Sequence, residues 1–271
     1  MHKTRVITSI VGLLVLIAII YFGNPLLFWL VVSSAIVIGL LEFYKIAQAR
    51  EFPVYLLPGV LLGWLLSLVP LVSILFADVS LTGFTLTLIV LALFLYALLT
   101  KRPLSESILA LAVTLFGILY VSWLLSHLVF IRGLPDGEWL IFYLLLIVWS
   151  GDTGAYYTGS FFGKHKLAPV ISPKKTIEGA IGGVASSLLA SVIAKFTFLP
   201  LLSYPDCIML ALLIAVIAQL GDLCESMLKR SANVKDSGTI LPGHGGILDR
   251  IDGVIFAAPL LYYYAIIFLV A

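Results

Sequence analysis

Nine continuous apolar runs constrain the fold of this 271-residue chain more strongly than any other feature. A bilayer core of about 30 Å requires around 20 apolar residues per helix, and only helices or closed barrels can span it. The runs are continuous rather than alternating, which favours helices over a barrel. We therefore predict an all-α polytopic membrane protein. The predicted spans are residues 6–23, 26–42, 54–77, 83–99, 108–131, 140–162, 179–199, 206–228 and 253–271.

Composition supports a membrane as the solvent for this chain. Hydrophobic residues make up 62% of the sequence and charged residues 11%, against roughly 45–50% and about 25% in soluble domains. The two cysteines, Cys207 and Cys224, provide no disulfide framework. The high apolar fraction and low charged fraction therefore argue against a soluble domain of this length.

Basic residues predict the orientation of the spans. With nine spans and a cytoplasmic N-terminus, every one of the 16 Lys and Arg residues except Arg132 and Lys195 lies on the cytoplasmic side. The C-terminus is then non-cytoplasmic. We predict one integral membrane domain, residues 1–271, with an apolar N-terminal half (1–131) and a catalytic C-terminal half (140–271).

Ionisable residues inside predicted spans indicate function, because they are costly in a membrane. Asp152 lies in the sixth span, and the eighth span carries a polar stripe at helical spacing. The stripe consists of Gln219, Asp222, Glu225, Ser226 and Lys229. Two carboxylates three residues apart would repel each other in a low dielectric unless a cation joins them. The stripe therefore predicts a metal site, and helix packing through hydrogen bonds is the alternative.

A charged segment follows the eighth span and reads SMLKRSANVKDSGTILPGHGGILDRIDG, from Ser226 to Gly253. Asp249 and Asp252 are three residues apart, as the carboxylates of the eighth span are. The glycines allow backbone N–H groups to converge on an anion, although such a loop is equally compatible with a simple turn. The candidate anion-binding residues here are Lys235, His244, Gly245, Gly246 and Arg250.

A third basic element precedes the seventh span and reads GKHKLAPVISPKKTIEGAIGG, from Gly163 to Gly183. Hydroxyls, lysines and a helix N-terminus together predict a phosphate-binding loop. Contact with lipid headgroups is the alternative. The candidate residues are Ser172, Lys174, Lys175 and Thr176.

Carboxylates that hold a divalent cation, together with basic loops, are typical of phosphoryl or nucleotidyl transfer. The metal and the lysines would offset the repulsion between two anionic reactants. The position of the charges at cytoplasmic helix ends indicates that one reactant is a lipid. The residues thus predict a Mg²⁺-dependent transfer between a nucleotide and a lipid phosphate.

The charged segment resembles the signature of the phosphatidate cytidylyltransferase (CDP-diacylglycerol synthase) family, and ISPKKTIEG and GDTGAYYTG resemble its upstream motifs. The resemblance implies that CTP and phosphatidate give CDP-diacylglycerol and pyrophosphate. It implies Asp222 and Asp249 as the principal ligands of Mg²⁺, with a second cation such as K⁺ nearby. The implied catalytic residues are Asp222, Asp249, Lys229 and Arg230, and the secondary ligand candidates are Asp152, Glu225 and Asp252. His244 is a phosphate ligand, a general acid or a turn residue.

Two other functions remain open at this point. A CTP-dependent lipid kinase acting on a polyprenol-type alcohol would use similar charges. A transporter would use Asp152 and Asp222 as ion sites, but the charges cluster at one face and no inverted repeat is evident. We expect an integral protein of a bacterial inner membrane with its site facing the cytoplasm, a homodimer as the assembly, and no nucleic acid as partner.

Overall fold

The structure, a computed structural model, describes residue 12 and residues 14–76, 81–240 and 245–269. Within those ranges eight helices are long and apolar enough to cross a membrane. They are α1 (Pro25–Gln48), α2 (Leu56–Leu75), α3 (Thr82–Leu99), α4 (Leu104–Arg132), α5 (Gly137–Phe162), α6 (Ile177–Thr197), α7 (Tyr204–Ser231) and α8 (Leu248–Leu269). α4 contains a π-helical stretch, Ile118–Trp123, and α8 ends in another, Ala265–Leu269.

These helices confirm the predicted polytopic helical class and match the second to ninth predicted spans. The first predicted span, residues 6–23, lies largely outside the described residues, although residues 14–22 are helical. The orientation of the two termini stays a prediction.

α1 is longer than the apolar run that predicted it. It begins after Asn24, whose side-chain oxygen accepts the N–H of Leu27 at 2.8 Å, with Pro25 at the first helical position. It continues beyond residue 42 because Phe43 and Tyr44 are buried, 5% and 0% exposed. The extension places Glu42 within the helix rather than at its end.

The chain forms two compact units. The N-terminal unit contains the residues up to Gly133 together with Ser231–Arg250, and the C-terminal unit contains Leu134–Arg230 together with the residues from Ile251 onward. The boundary at Gly133 lies next to the predicted limit of the apolar half. The grouping of Ser231–Arg250 with the N-terminal helices, in contrast, is not indicated by sequence order.

The N-terminal unit is held by aliphatic packing and by a few buried hydrogen bonds. One core cluster consists of Leu66, Val69, Ile89, Leu93 and Ile118. The Trp29 indole N–H donates to the Ser67 carbonyl at 2.8 Å, and the Tyr44 hydroxyl donates to the Thr114 carbonyl at 2.9 Å. In lipid, such bonds between helices add to the association energy that van der Waals packing supplies.

In the C-terminal unit, α5 and α6 pack closely along much of their length. Small residues permit this approach, since a Cβ on Gly183 would lie 2.9 Å from the Gly151 carbonyl oxygen. Ser187 donates to the Ile147 carbonyl at 3.0 Å, and the hydroxyls of Tyr143 and Ser191 lie 2.8 Å apart. The glycines of the sixth and seventh predicted spans therefore serve helix contact.

Among the described residues, the exception to the helical pattern is an antiparallel hairpin between α5 and α6. Strand β1 (Lys166–Ala168) pairs with β2 (Ser172–Thr176). The sequence predicted only a loop at this point, because strands this short and polar give no alternating pattern to detect. The hairpin leads directly into the first turn of α6.

Candidate active site

A cavity of about 520 Å³ lies in the C-terminal unit, bounded by α5, the hairpin, the start of α6 and α7. It brings together residues from two of the three sequence elements predicted to carry chemistry. Its charged and amide-bearing walls are Asp152, Lys166, Lys174, Lys175, Gln219 and Asp222. The cavity therefore combines carboxylates with lysines in a unit built from apolar helices.

The closest charge pair in this cavity joins the hairpin to α7. The Lys175 ammonium lies 2.6 Å from Asp222 Oδ2, and the two side chains are 25% and 35% exposed. The Ser226 hydroxyl donates to Asp222 Oδ1 at 3.3 Å. Asp222 thus presents both carboxylate oxygens to partners while staying accessible from the cavity.

Two further carboxylates of the C-terminal unit act on Asp222. Asp152 and Asp252 both interact electrostatically with it. Asp152 is exposed, and Asp252 is half-buried and accepts the N–H of Gly253 at 2.7 Å. Carboxylates that interact in this way repel one another, so a cation bound at Asp222 would be stabilised.

The start of α6 fixes the position of the hairpin lysines. The Thr176 side-chain oxygen accepts the N–H of Gly179 at 3.1 Å and caps the helix, and the Ile177 N–H donates to the His165 carbonyl at 2.9 Å. Ser172 and Lys174 lie on β2 just before this cap. The predicted phosphate-binding loop is therefore a strand that ends at a helix N-terminus, where anions are favoured.

Glu178 ties the beginning of the hairpin to the same helix. Its carboxylate accepts the N–H groups of Lys164 and His165 at 3.1 and 3.2 Å, and the His165 ring Nδ1 lies 2.6 Å from it. Sequence reasoning assigned no role to Glu178. Its place in the first helical turn, after a run of basic residues, was the available signal.

The polar stripe of α7 divides into two parts. Gln219 and Asp222 line the cavity, and the Gln219 amide donates to the Ala180 carbonyl at 3.2 Å. One turn further on, Lys229 and Glu225 form an ion pair with both side chains buried. Arg230 is exposed and its Nε donates to the Ile171 carbonyl at 3.4 Å. Glu225 is thus an ion-pair partner of Lys229 on the same helix.

An aliphatic groove of about 480 Å³ adjoins the charged cavity. It runs along α6 and α7 and shares Leu167, Ala180 and Gln219 with the charged cavity. Its other lining residues are Ile177, Ile181, Val184, Ala185, Leu188, Val216, Leu220 and Leu223. The C-terminal unit therefore presents a polar cavity beside an apolar groove.

Asp249 lies in the N-terminal unit, in the first turn of α8. Its Oδ2 accepts the N–H groups of Ser237 and Gly246, at 3.0 and 2.8 Å. Gly245 has φ +80°, a backbone conformation that favours glycine. The backbone N–H of Gly246, which the sequence predicted to bind a substrate anion, here donates to a carboxylate of the chain.

Lys235 lies in the α7–α8 loop (residues 232–247), and Arg250 lies in the first turn of α8. Lys235 and Arg250 are exposed. His244 lies outside the described residues, so its three predicted roles stay predictions.

Sequence reasoning also missed Glu42. This residue is only 2% exposed on α1, and its carboxylate accepts hydrogen bonds from the α7–α8 loop and the start of α8. The rule that an ionisable residue inside an apolar span is functional would have identified it. The predicted span ended at residue 42, which made Glu42 look like the edge of a helix.

Curated proteins named phosphatidate cytidylyltransferase are similar to this chain. The Bacillus subtilis (strain 168) protein is 44% identical over 151 residues, which cover 55% of this chain and 56% of that protein. The Staphylococcus haemolyticus protein is 52% identical over 126 residues, covering 46% and 48%. The Brucella suis protein is 43% identical over 156 residues, covering 56% of each. The matches thus span about half the length of these relatives.

A sequence model of the cytidylyltransferase family matches residues 3–268. The match extends over nearly the whole chain and includes the charged segment, the ISPKKTIEG stretch and α5. It confirms the resemblance seen in the sequence. This chain belongs to the cytidylyltransferase family.

Proposed function

We propose that this protein transfers CMP from CTP to phosphatidate and releases CDP-diacylglycerol and pyrophosphate. The observation that carries the proposal is the Lys175–Asp222 pair in a charged cavity that adjoins an aliphatic groove. The names of the curated relatives support phosphatidate as the acceptor.

The lysines of the hairpin and the capped start of α6 are suited to phosphate groups. Lys166, Lys174 and Lys175 line the cavity, and the helix N-terminus adds N–H groups that favour negative charge. We assign the triphosphate of CTP to this wall, with Ser172 and Thr176 next to it. Arg230 and Lys229 are the further cations proposed to act on the phosphates.

The aliphatic groove supports a lipid as the second substrate. Its side chains come from two membrane-spanning helices, and Gln219 stands where the groove meets the charged cavity. An acyl chain in the groove would place a phosphate headgroup at the carboxylate–lysine wall.

We propose Mg²⁺ as the cofactor, held by Asp222 with Asp152 or Asp252. Among the described residues, no three His, Cys, Asp or Glu side chains form a ready cage for a metal. Mg²⁺ needs none, since it binds through one or two carboxylates and completes its shell with water and substrate phosphates. When bound, it would neutralise charge on the triphosphate and the leaving pyrophosphate. Asp249 and Glu225 stay predicted ligands of the metal, and a second cation such as K⁺ stays a prediction.

The reaction balances without a protein base. A phosphate oxygen of the phosphatidate dianion attacks the α-phosphorus of CTP, and one P–O bond forms. The bond from the α-phosphorus to the bridging oxygen of the β-phosphate breaks, and pyrophosphate leaves with the electron pair. The lysines lower the repulsion between the two anions as they approach each other.

The setting is an integral membrane protein, and we propose a bacterial inner membrane with the site facing the cytoplasm. The asymmetry of basic residues supports this orientation. Reporters fused after Ala271 and inserted near Lys101 test it: the first should report a non-cytoplasmic location and the second a cytoplasmic one. A homodimer is the proposed assembly.

The direct test uses purified protein, labelled CTP and phosphatidate in detergent, with and without Mg²⁺. We expect CDP-diacylglycerol and pyrophosphate in equal amounts, and only with the metal. Formation of CDP and a phosphorylated lipid from a polyprenol or diacylglycerol would instead identify a lipid kinase. The absence of both products would contradict the proposal.

A further inference from the structure

A buried carboxylate of the N-terminal helix α1 holds the loop that precedes Asp249. Glu42 Oε1 accepts the N–H of Ile247 at 3.0 Å, and Oε2 accepts the N–H of Leu248 at 2.9 Å. The Ser237 hydroxyl donates to Oε2 at 3.1 Å. Two of these three donors are N–H groups at the start of α8, so Glu42 caps that helix from another part of the chain.

The loop is shaped around this carboxylate. A Cβ on Gly246 would lie 2.5 Å from Glu42 Oε2, and one on Gly238 would lie 2.9 Å from Glu42 Cδ. At both distances an added Cβ would force the buried Glu42 carboxylate to shift. The loop therefore packs its backbone directly on Glu42 at two positions, which a loop held only by its own turns would not require.

The same loop residues also bind Asp249. Ser237 donates its N–H to Asp249 and its hydroxyl to Glu42. Gly246 donates its N–H to Asp249, and the next two N–H groups along the chain donate to Glu42. A displacement of the loop from Glu42 would thus also move the two groups that orient the Asp249 carboxylate.

We propose that Glu42 is a positioning residue, which acts through Ser237 and Gly246 to set the orientation of Asp249. All of these contacts lie within the N-terminal unit. The inference rests on the proposed function only in giving Asp249 a part in CMP transfer. The anchoring itself does not depend on it.

Amide hydrogen exchange tests the anchoring independently of activity. In Glu42→Gln, the side chain loses its charge and retains one acceptor oxygen for three donors. We expect exchange at Ile247 and Leu248 to rise roughly 10- to 100-fold, and exchange at Ser237 and Gly246 to rise with it. The matched control is Glu106→Gln, the same change at an exposed carboxylate of the same unit, which pairs with Arg102 at 3.9 Å. It should leave these four amides unchanged.

Kinetics test the consequence for the reaction. Glu42→Gln should lower kcat roughly 10- to 100-fold and raise the Mg²⁺ concentration needed for half-maximal activity, with little change in the KM for CTP. Loss of stability alone would reduce the amount of active protein without shifting the Mg²⁺ response.

Ser237→Ala keeps the proposal testable if Glu42→Gln does not fold. It removes one hydroxyl bond to Glu42 and leaves the N–H bond to Asp249 available. We expect faster exchange at the amides of Ser237 and Gly246, by a factor of about 5. Unchanged exchange at Gly246 in whichever variant folds would overturn the anchoring.

The two proposals fail in different ways. A wild-type protein without CMP transfer would contradict the proposed function, while the exchange data would still decide the anchoring. An active wild-type protein whose Glu42→Gln variant loses protection but keeps its kcat and Mg²⁺ response would overturn the positioning role.

Discussion

In the C-terminal unit Asp222 and Glu225 each face a lysine, whereas in the N-terminal unit Glu42 and Asp249 are held by backbone N–H groups and a hydroxyl. Asp222 faces Lys175, and Glu225 faces Lys229. Glu42 and Asp249 instead accept hydrogen bonds from the α7–α8 loop and the start of α8. The same functional group thus has two environments in one protein.

The difference matters because the two kinds of partner behave differently. A lysine is a flexible cation that can exchange a carboxylate for a phosphate oxygen, so the C-terminal arrangement is suited to binding anionic substrates. Backbone N–H groups have fixed positions, so the N-terminal arrangement is suited to holding a carboxylate in one orientation. Substitution of each kind of carboxylate and of its partners tests this contrast.

The largest effect is expected from Asp222→Asn. The variant loses the charge that faces Lys175 and that we propose as a Mg²⁺ ligand, so CMP transfer should fall below detection with the protein still folded. The labelled-CTP assay at saturating Mg²⁺ measures it. Asp206→Asn is the matched control, since Asp206 lies on the same helix and binds Tyr264 and Ser203 instead. An active Asp222→Asn protein would remove Asp222 from the site.

Asp249→Asn should reduce CMP transfer at least about 100-fold. It should also raise hydrogen exchange at Ser237 and Gly246, because an uncharged amide oxygen is a weaker acceptor for these two N–H groups than the carboxylate oxygen Oδ2. Full activity combined with faster exchange would mean that Asp249 serves the loop alone.

Lys175→Met tests whether the lysine that faces Asp222 also binds a substrate phosphate. Removal of this cation should lower kcat/KM for CTP roughly 100-fold, because the triphosphate loses a charge and Asp222 loses its ion pair. Lys164→Met serves as control, since Lys164 is exposed and does not line the cavity. Equal activity of the two variants would contradict a role for Lys175.

The buried Glu225–Lys229 pair predicts a stability effect. Glu225→Gln or Lys229→Met alone should destabilise the protein by about 3–5 kcal/mol, because each leaves a buried charge without its ion-pair partner. The double variant should recover a large part of that loss. Thermal unfolding in detergent measures all three, and additive losses in the double variant would show that the two charges are not coupled.

Thr176→Val should have the smallest effect. It removes the cap of α6 and should cost about 1 kcal/mol of stability, with a several-fold loss of activity because the cap positions Lys175. Thr176→Ser keeps the capping oxygen and should behave like the wild type in both assays. A Thr176→Ser variant as impaired as Thr176→Val would show that the capping oxygen alone does not account for the effect.

Local pattern was sufficient for much of the fold and part of the site. The second to ninth spans follow from run length, and Asp152, Lys174, Lys175 and Asp222 were candidates before the cavity showed them together. The hairpin was missed because its strands are too short to alternate. Glu178 and Glu42 were missed because each is a single carboxylate whose partners are separated from it in sequence.

The sequence by itself determined that this chain is a membrane protein, because the hydrocarbon core leaves helices as the solution for long apolar runs. It also identified ionisable residues inside the spans, such as Asp152 and Asp222, as candidates for function, because such residues are costly in a membrane. Only the tertiary structure decided which partners meet two of these charges: Lys175 for Asp222, and the α7–α8 loop for Glu42. The physical reason is that a hydrogen bond or an ion pair depends on a few ångströms of distance, and packing of helices far apart in the chain sets that distance.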